Sequence, residues 1–466
     1  MKKLLRAALI CYLLTWLGIF LLIVVLAMTR DRTLWEGLTL FAELFPSPSF
    51  QKGFHFLYGI VFLLFLLIRY FVRTFKKQGI RVVLKRLSLF IILPVGLLIL
   101  GFKAIAHTNT VEDYAYEWDT SVENRTGRSK NLFALDNKQR GMSVFGWQNE
   151  NKQAISDLLN SNIEWVAVIP FFYQKDEQTN AINMRDSYDR WSRQDSTFIK
   201  SIAQLHDKGL RVHLKPHLWM NSGWRSNINL DSQTDWNNWF ESYRTNILHY
   251  ARMAEETQVE LFCIGTELKT SVTQQPEKWQ QLIKEIKNIY TGKLTYAANW
   301  DGEYEEVTFW DELDFIGLQA YFPLTETENP SLEEIEKGWD VHLRMLEQLS
   351  AACNKPILFT EVGYRSSAKS TIRPWEWNSL FGKLYQKKSH RTQALAYDAL
   401  FQKVWSQDWF AGMYIWQWQT RSSPQAAKNS LGFSPRFKPA ENIIAKGFAT
   451  HPTTTQSSVD SLSLPR

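Results

Sequence analysis

Val259-Glu260-Leu261-Phe262-Cys263-Ile264-Gly265-Thr266-Glu267-Leu268 is apolar from Leu261 to Ile264 and then stops at Gly-Thr-Glu. A short continuous apolar run closed by glycine is the pattern of a strand buried on both faces of a parallel sheet. Its C-terminal end delivers a carboxylate. Pro356-Ile357-Leu358-Phe359-Thr360-Glu361-Val362-Gly363 repeats the plan: apolar strand, Thr-Glu, glycine. Two carboxyl groups on two strand ends suit hydrolysis of a glycosidic bond. One is kept protonated for the leaving oxygen, and the other is ionised to attack or stabilise the sugar cation.

Outward from these two runs, short apolar strands alternate with amphipathic helices. The strands are expected at 141–147, 163–171, 210–217, 259–267, 294–300, 313–321, 357–362 and 412–418. Strict β/α alternation with eight strands predicts an α/β fold of the (β/α)8 TIM-barrel kind, with side chains at the strand C-termini sharing one mouth. A doubly wound open sheet would want a glycine-rich phosphate turn after the first strand, and Phe145-Gly146-Trp147-Gln148-Asn149 is not one. Helix starts are expected at Asp195, at Pro276 and at Ser331, where Glu334 completes a capping box.

The net charge of +6 is unevenly spread. Residues 1–106 hold 14 Lys and Arg against 3 Asp and Glu, so the remainder is acidic and carries no nucleic-acid footprint. About three transmembrane helices are expected ahead of the barrel, at 7–28, 54–72 and 87–106. The Arg69, Arg73, Lys76, Lys77, Arg81, Lys85 and Arg86 cluster holds no acid and is expected to form a cytoplasmic loop. With the N-terminus also cytoplasmic, everything after 106 falls outside the cytoplasm, periplasmic or extracellular. Residues 107–138 read as a linker or a cap over the barrel bottom, and 450–466 as a disordered tail. The cysteines Cys11, Cys263 and Cys353 form no disulfide framework.

Beyond the two glutamates, the third strand ends His213-Leu214-Lys215-Pro216-His217-Leu218-Trp219. Same-face histidines invite a metal reading, but a barrel amidohydrolase needs His-x-His on its first strand, and no histidine lies between His107 and His206. No metal and no cofactor is expected. Lys215 and His217 read as donors to sugar hydroxyls, and His213 as structural. On the last strand, a period of two puts Tyr414, Trp416 and Trp418 on one face. Trp416 and Trp418 read as substrate stackers or as core. Trp219, Trp224 and Trp300 sit in or near mouth loops, where sugar stacking competes with surface packing.

Several phrases resemble glycoside hydrolase family 113, the β-mannanase family. They are Ile264-Gly265-Thr266-Glu267-Leu268, Tyr296-Ala297-Ala298-Asn299-Trp300, Gly317-Leu318-Gln319-Ala320-Tyr321-Phe322-Pro323-Leu324 and Phe433-Ser434-Pro435-Arg436-Phe437-Lys438-Pro439-Ala440-Glu441. The resemblance spans roughly 138–447 and implies a glycosidase domain over 139–449. It implies Glu267 as acid/base, Glu361 as nucleophile, Tyr321 as the phenol that orients the nucleophile, and Trp416 as the floor under the cleaved sugar. Many members of the wider clan place Asn before the acid. Thr266 stands there instead, so the sugar 2-hydroxyl contact falls to another residue, with Asn299 the candidate.

The resulting expectation is a membrane-anchored retaining endo-β-1,4-mannanase whose partners are a polysaccharide or oligosaccharide substrate and membrane lipid. Two alternatives stand beside it. One is an exo-acting glycosidase on another envelope or extracellular glycan, with segments 172–194 and 364–390 shaping the groove. The other is a non-catalytic carbohydrate-binding or scaffold module.

Overall fold

The computed structural model describes residues 2–28, 45–108, 116–182, 188–377 and 386–450, with Trp35, Leu38, Thr39, Phe41 and Ala42. The chain divides into two units, Met1–Ala104 and Ile105–Arg466.

The first unit is helical: Lys2–Met28, Pro48–Leu87, a π-turn at Ser88–Ile92, and Leu93–Thr108. Among the described residues, two stretches are long and apolar enough to cross a membrane, Leu5–Val25 and Phe50–Gly101. The second takes in the expected span at 54–72 and most of the one at 87–106. The basic segment between them is helical rather than a loop, interrupted at Gly79, whose φ is 78°. Only glycine takes up such a conformation without steric cost. Aromatic rings tie the first two helices together, with Trp16 stacked on Phe54 at 3.8 Å between centroids.

Among its described residues the second unit has ten strands: β1 (Gln139–Phe145), β2 (Trp165–Val168), β3 (Phe171–Gln174), β4 (Arg211–Leu214), β5 (His217–Met220), β6 (Leu261–Thr266), β7 (Lys293–Asn299), β8 (Phe315–Gln319), β9 (Ile357–Val362) and β10 (Phe410–Gln419). Eight close into a parallel barrel in the order β1-β10-β9-β8-β7-β6-β4-β2. The expected strands 163–171 and 210–217 are each cut short by a proline, Pro170 and Pro216. Proline has no N–H to give to a ladder. Past those prolines the chains resume as β3 and β5, which pair in parallel above the barrel, Phe171 opposite His217.

The core has two layers. Leu261, Leu358, Trp165, Ala167 and Tyr414 fill the barrel interior. Phe262, Ile264, Phe359, Met413 and Ile415 face outward against the helices. Behind β6, Tyr243 and Trp239 of helix Gln233–Glu256 stack at 4.9 Å, and Trp279 of helix Pro276–Lys287 packs against Tyr243 and Tyr296. The Ser331/Glu334 capping box forms as expected. Asp195 does not cap its helix; it lies inside Tyr188–Asp207 and pairs with His249 at 3.1 Å.

Residues 116–138 are a cap on the N-terminal end of the barrel rather than a free linker. The Leu132 and Phe133 N–H groups donate to Glu164, which precedes β2, and Phe133 packs on Trp165. Tyr116 donates to Glu441 at 2.5 Å. The tail expected from 450 lies, past Thr450, outside the described residues.

Candidate active site

Both glutamates follow a β-bulge. Between Cys263 and Thr266, β6 has one residue more than the facing stretch of β7, and between Phe359 and Glu361, β9 has one more than β8. A bulge re-aims the side chains beyond it. On β9, Leu358 points into the barrel and Phe359 out. Strict alternation would then turn Glu361 outward, and the extra residue, Thr360, brings it into the mouth. Glu267 leaves β6 with φ +52°, in the left-handed region. Non-glycine residues rarely adopt it, and such positions cluster at functional sites.

Glu361 is buried, and donors surround its carboxylate. Lys215 Nζ donates to Oε1 at 2.7 Å and Tyr321 Oη donates to Oε2 at 2.9 Å. His217 Nε2 lies 3.4 Å from Oε1. Lys215 also donates to Gln319 Oε1 at 3.0 Å and to the Thr360 carbonyl at 3.3 Å. An ammonium has three donors, and all three are taken. Lys215 therefore has none left for a sugar hydroxyl, and the expected substrate-donor role gives way to holding Glu361. Burial and the neighbouring Lys215 push His217 well below the ordinary histidine range, so its ring is neutral. That ring lies parallel to Trp416, 6.3 Å away.

Glu267 is buried as well and meets a cation of its own, Arg225. Burial raises its pKa, the Arg225 guanidinium opposes that shift, and the Glu361 charge adds to it. Arg225 donates to Glu267 Oε2, and Ser226 Oγ donates to the Glu267 carbonyl at 2.9 Å. Both come from the short turn Arg225–Asn227 after β5. Arg225 had no marker in the sequence, because an arginine between Trp224 and Ser226 reads as a solvated loop residue. Glu303 is equally hidden, within Asp301-Gly302-Glu303-Tyr304-Glu305-Glu306. That acidic turn looks exposed, yet Glu303 is fully buried and pushed up to about 7 by burial.

The remaining predicted residues divide. Trp416 is buried in the mouth, its ring edge-on to Phe145. Trp418 does not share that face. Two steps along β1, from Met142 to Val144, match three along β10, from Ile415 to Trp418, and the odd residue inverts the alternation. Trp418 is buried in the outer core, with Arg436 over its ring, and is not a substrate contact. Trp219 and Trp224 are exposed at 54% and 44%. Asn299 closes the turn after β7, its Oδ1 accepting the Asp301 N–H at 3.1 Å. Trp300 stacks on Trp375 at 4.8 Å, and Trp377 packs on Phe433, which packs in turn on Tyr321. The exposed Trp375 and Trp377, on the loop after β9, extend the aromatic rim beyond the residues the sequence singled out. Among the described residues no group of three or more His, Cys, Asp and Glu could hold a metal ion.

The sequence model of Glycoside Hydrolase Family 113 matches residues 140–436. No curated protein matches the chain. Among solved structures, a complex of a GH113 beta-1,4-mannanase is similar at 27% identity and TM-score 0.59, covering 67% of this chain and 99% of that one. The GH113 beta-mannanase AaManA from Alicyclobacillus acidocaldarius, in complex with ManMIm, matches at 27% identity and TM-score 0.57, covering 67% and 97%.

Proposed function

The chain belongs to glycoside hydrolase family 113 and is a glycoside hydrolase, and from there we propose that it is a membrane-anchored, retaining endo-β-1,4-mannanase. The observation that carries the mechanism is that two buried carboxyl groups with different partners share one mouth. Glu361 sits against the Lys215 ammonium and the Tyr321 hydroxyl, while burial raises the pKa of Glu267. Two carboxyl groups in such different environments take the acid and the nucleophile roles.

In the first step a Glu361 oxygen attacks the anomeric carbon as Glu267 gives its proton to the departing glycosidic oxygen. A glycosyl-enzyme ester forms, and the Glu267 carboxylate remains. In the second step Glu267 takes a proton from water, which attacks the same carbon and releases Glu361 with the configuration retained. Trp416 forms the floor under the sugar being cleaved. The exposed tryptophans on either side of the mouth, Trp219 and Trp224 against Trp375 and Trp377, suit a chain running across it. Mannan as substrate is supported by the two related mannanases. The helices at Leu5–Val25 and Phe50–Gly101 serve as the anchor, with residues 1–106 as the membrane segment and the barrel outside the cytoplasm.

The test is incubation of the full-length protein in detergent with β-1,4-manno-oligosaccharides, following the released anomer by NMR alongside Glu361→Ala. Release of the β-anomer, abolished in the variant, is expected. Turnover of a different β-glycan would keep the mechanism and discard mannan. Binding without turnover of any glycan would leave a carbohydrate-binding module.

A further inference from the structure

Glu267 is held from outside the barrel wall as well as from the mouth. Tyr296 on β7 faces outward, its ring packed between Trp279 and Phe309. Its hydroxyl accepts the N–H of Leu268, the residue after Glu267, at 2.7 Å. The same hydroxyl donates to Glu303 Oε1 at 2.5 Å, and the Asn299 N–H donates to Glu303 Oε2 at 2.7 Å. Tyr296 and Glu303 are both fully buried. A carboxyl group placed there is costly unless its hydrogen bonds are needed, and phenylalanine would fill the ring site equally well. What the pair supplies is a fixed acceptor where the chain turns left-handed. A left-handed residue with a side chain is sterically disfavoured, so that turn needs outside support. The Glu267 N–H is bound by the Ala297 carbonyl at 2.9 Å, and Ser226 holds its own carbonyl. The Leu268 N–H, bound by Tyr296, completes a clamp on three consecutive backbone groups.

We propose that Tyr296 and Glu303 are positioning residues for the proton-donating carboxyl group, fixing the backbone of Glu267 and Leu268 so that the acid meets the leaving oxygen. This rests on the reading of Glu267 as the acid. Both are fully buried and bear on the acid through the backbone beside it. The effect is therefore confined to the step that needs a proton.

That confinement gives the test. A 2,4-dinitrophenolate departs without protonation, whereas a phenolate needs the acid. Full-length wild type, Glu267→Ala, Tyr296→Phe and Glu303→Gln would be compared on 2,4-dinitrophenyl and phenyl β-mannobiosides, reading kcat/KM, which reports bond cleavage in the first step. Misplacing a catalytic group by about 1 Å costs on the order of 100-fold, so Tyr296→Phe and Glu303→Gln should lose roughly 10- to 100-fold on the phenyl glycoside. Their kcat/KM on the dinitrophenyl glycoside should stay near that of wild type. Equal losses on both substrates, or none on either, would overturn the positioning role. The Glu267→Ala control separates the two levels of the argument. If it shows the leaving-group split and the other variants do not, only the positioning role fails. If it loses both substrates alike, the acid role of Glu267 fails, and the inference falls with it.

Discussion

Lys215 and Glu361, 146 positions apart, meet as a buried ion pair at 2.7 Å, with neither side chain more than 5% exposed. The lysine was expected to face the sugar; its three donors instead converge on the carboxylate and the backbone and amide beside it. Lys215→Met leaves a buried charge without its partner, which typically costs about 3–5 kcal/mol. Urea unfolding should show a loss of that order together with a large fall in kcat. A variant of normal stability with only a raised KM would return Lys215 to the substrate.

Arg225 opposes the burial that raises the pKa of Glu267. Arg225→Gln removes the largest charge that opposes burial, so the pKa rises further. With Glu267 as the proposed acid, activity needs it protonated and falls as pH rises through its pKa. The alkaline limb of kcat/KM should therefore move to higher pH in the variant. A limb that stays in place, or moves to lower pH, contradicts the assignment.

Gly265 precedes Thr266-Glu267 in the bulge of β6. A Cβ there would meet Trp279, Tyr243 and Tyr296 at 2.8–2.9 Å. All three rings are buried, and Trp279 packs against both tyrosines, so none can give way cheaply. Gly265→Ala should cost about 1–3 kcal/mol by overpacking and should lower kcat more than it changes KM. Thermal melting and steady-state kinetics of the same preparation check both.

Glu441 is buried, and its pKa is raised from an ordinary 4.5 to about 7. The folded state therefore holds this proton more tightly than the unfolded chain does. The stabilisation is complete below pH 4.5 and is lost as pH rises through about 7. Tyr116 and the Phe437 N–H both donate to the same oxygen, Oε2, so the amide of Glu441→Gln can accept both bonds. The variant should lose less stability than wild type between pH 4.5 and 7, read as melting temperature across that range. Identical pH profiles would count against a buried, protonated Glu441.

Trp375 stacks on Trp300 at the mouth rim and is 40% exposed. If the rim carries outlying sugars, Trp375→Ala should raise KM for long manno-oligosaccharides far more than for short ones. Stacking on an aromatic face is worth roughly 0.5–1.5 kcal/mol, a severalfold effect. A uniform change across chain lengths would make Trp375 a packing residue.

Much of this protein was legible along the chain. Local hydrophobic period and glycine punctuation are written in neighbouring residues, and so the alternation of strands and helices, the barrel they form and both Thr-Glu strand endings could be read directly. Tyr321 came instead from the resemblance of the phrase around it to family 113, not from periodicity. What escaped depends on register and on distant partners. One extra residue in β9 turns Glu361 inward, and one in β10 sends Trp418 outward; a period of two cannot reveal either, since a bulge inverts every face beyond it. Pro170 and Pro216 were visible, but not that the chain beyond them would pair again as β3 and β5. Lys215, Arg225 and Glu303 look like ordinary charged residues in sequence. A charge becomes a structural or chemical device only when folding removes its water and supplies one partner from elsewhere in the chain, and that pairing exists only in three dimensions.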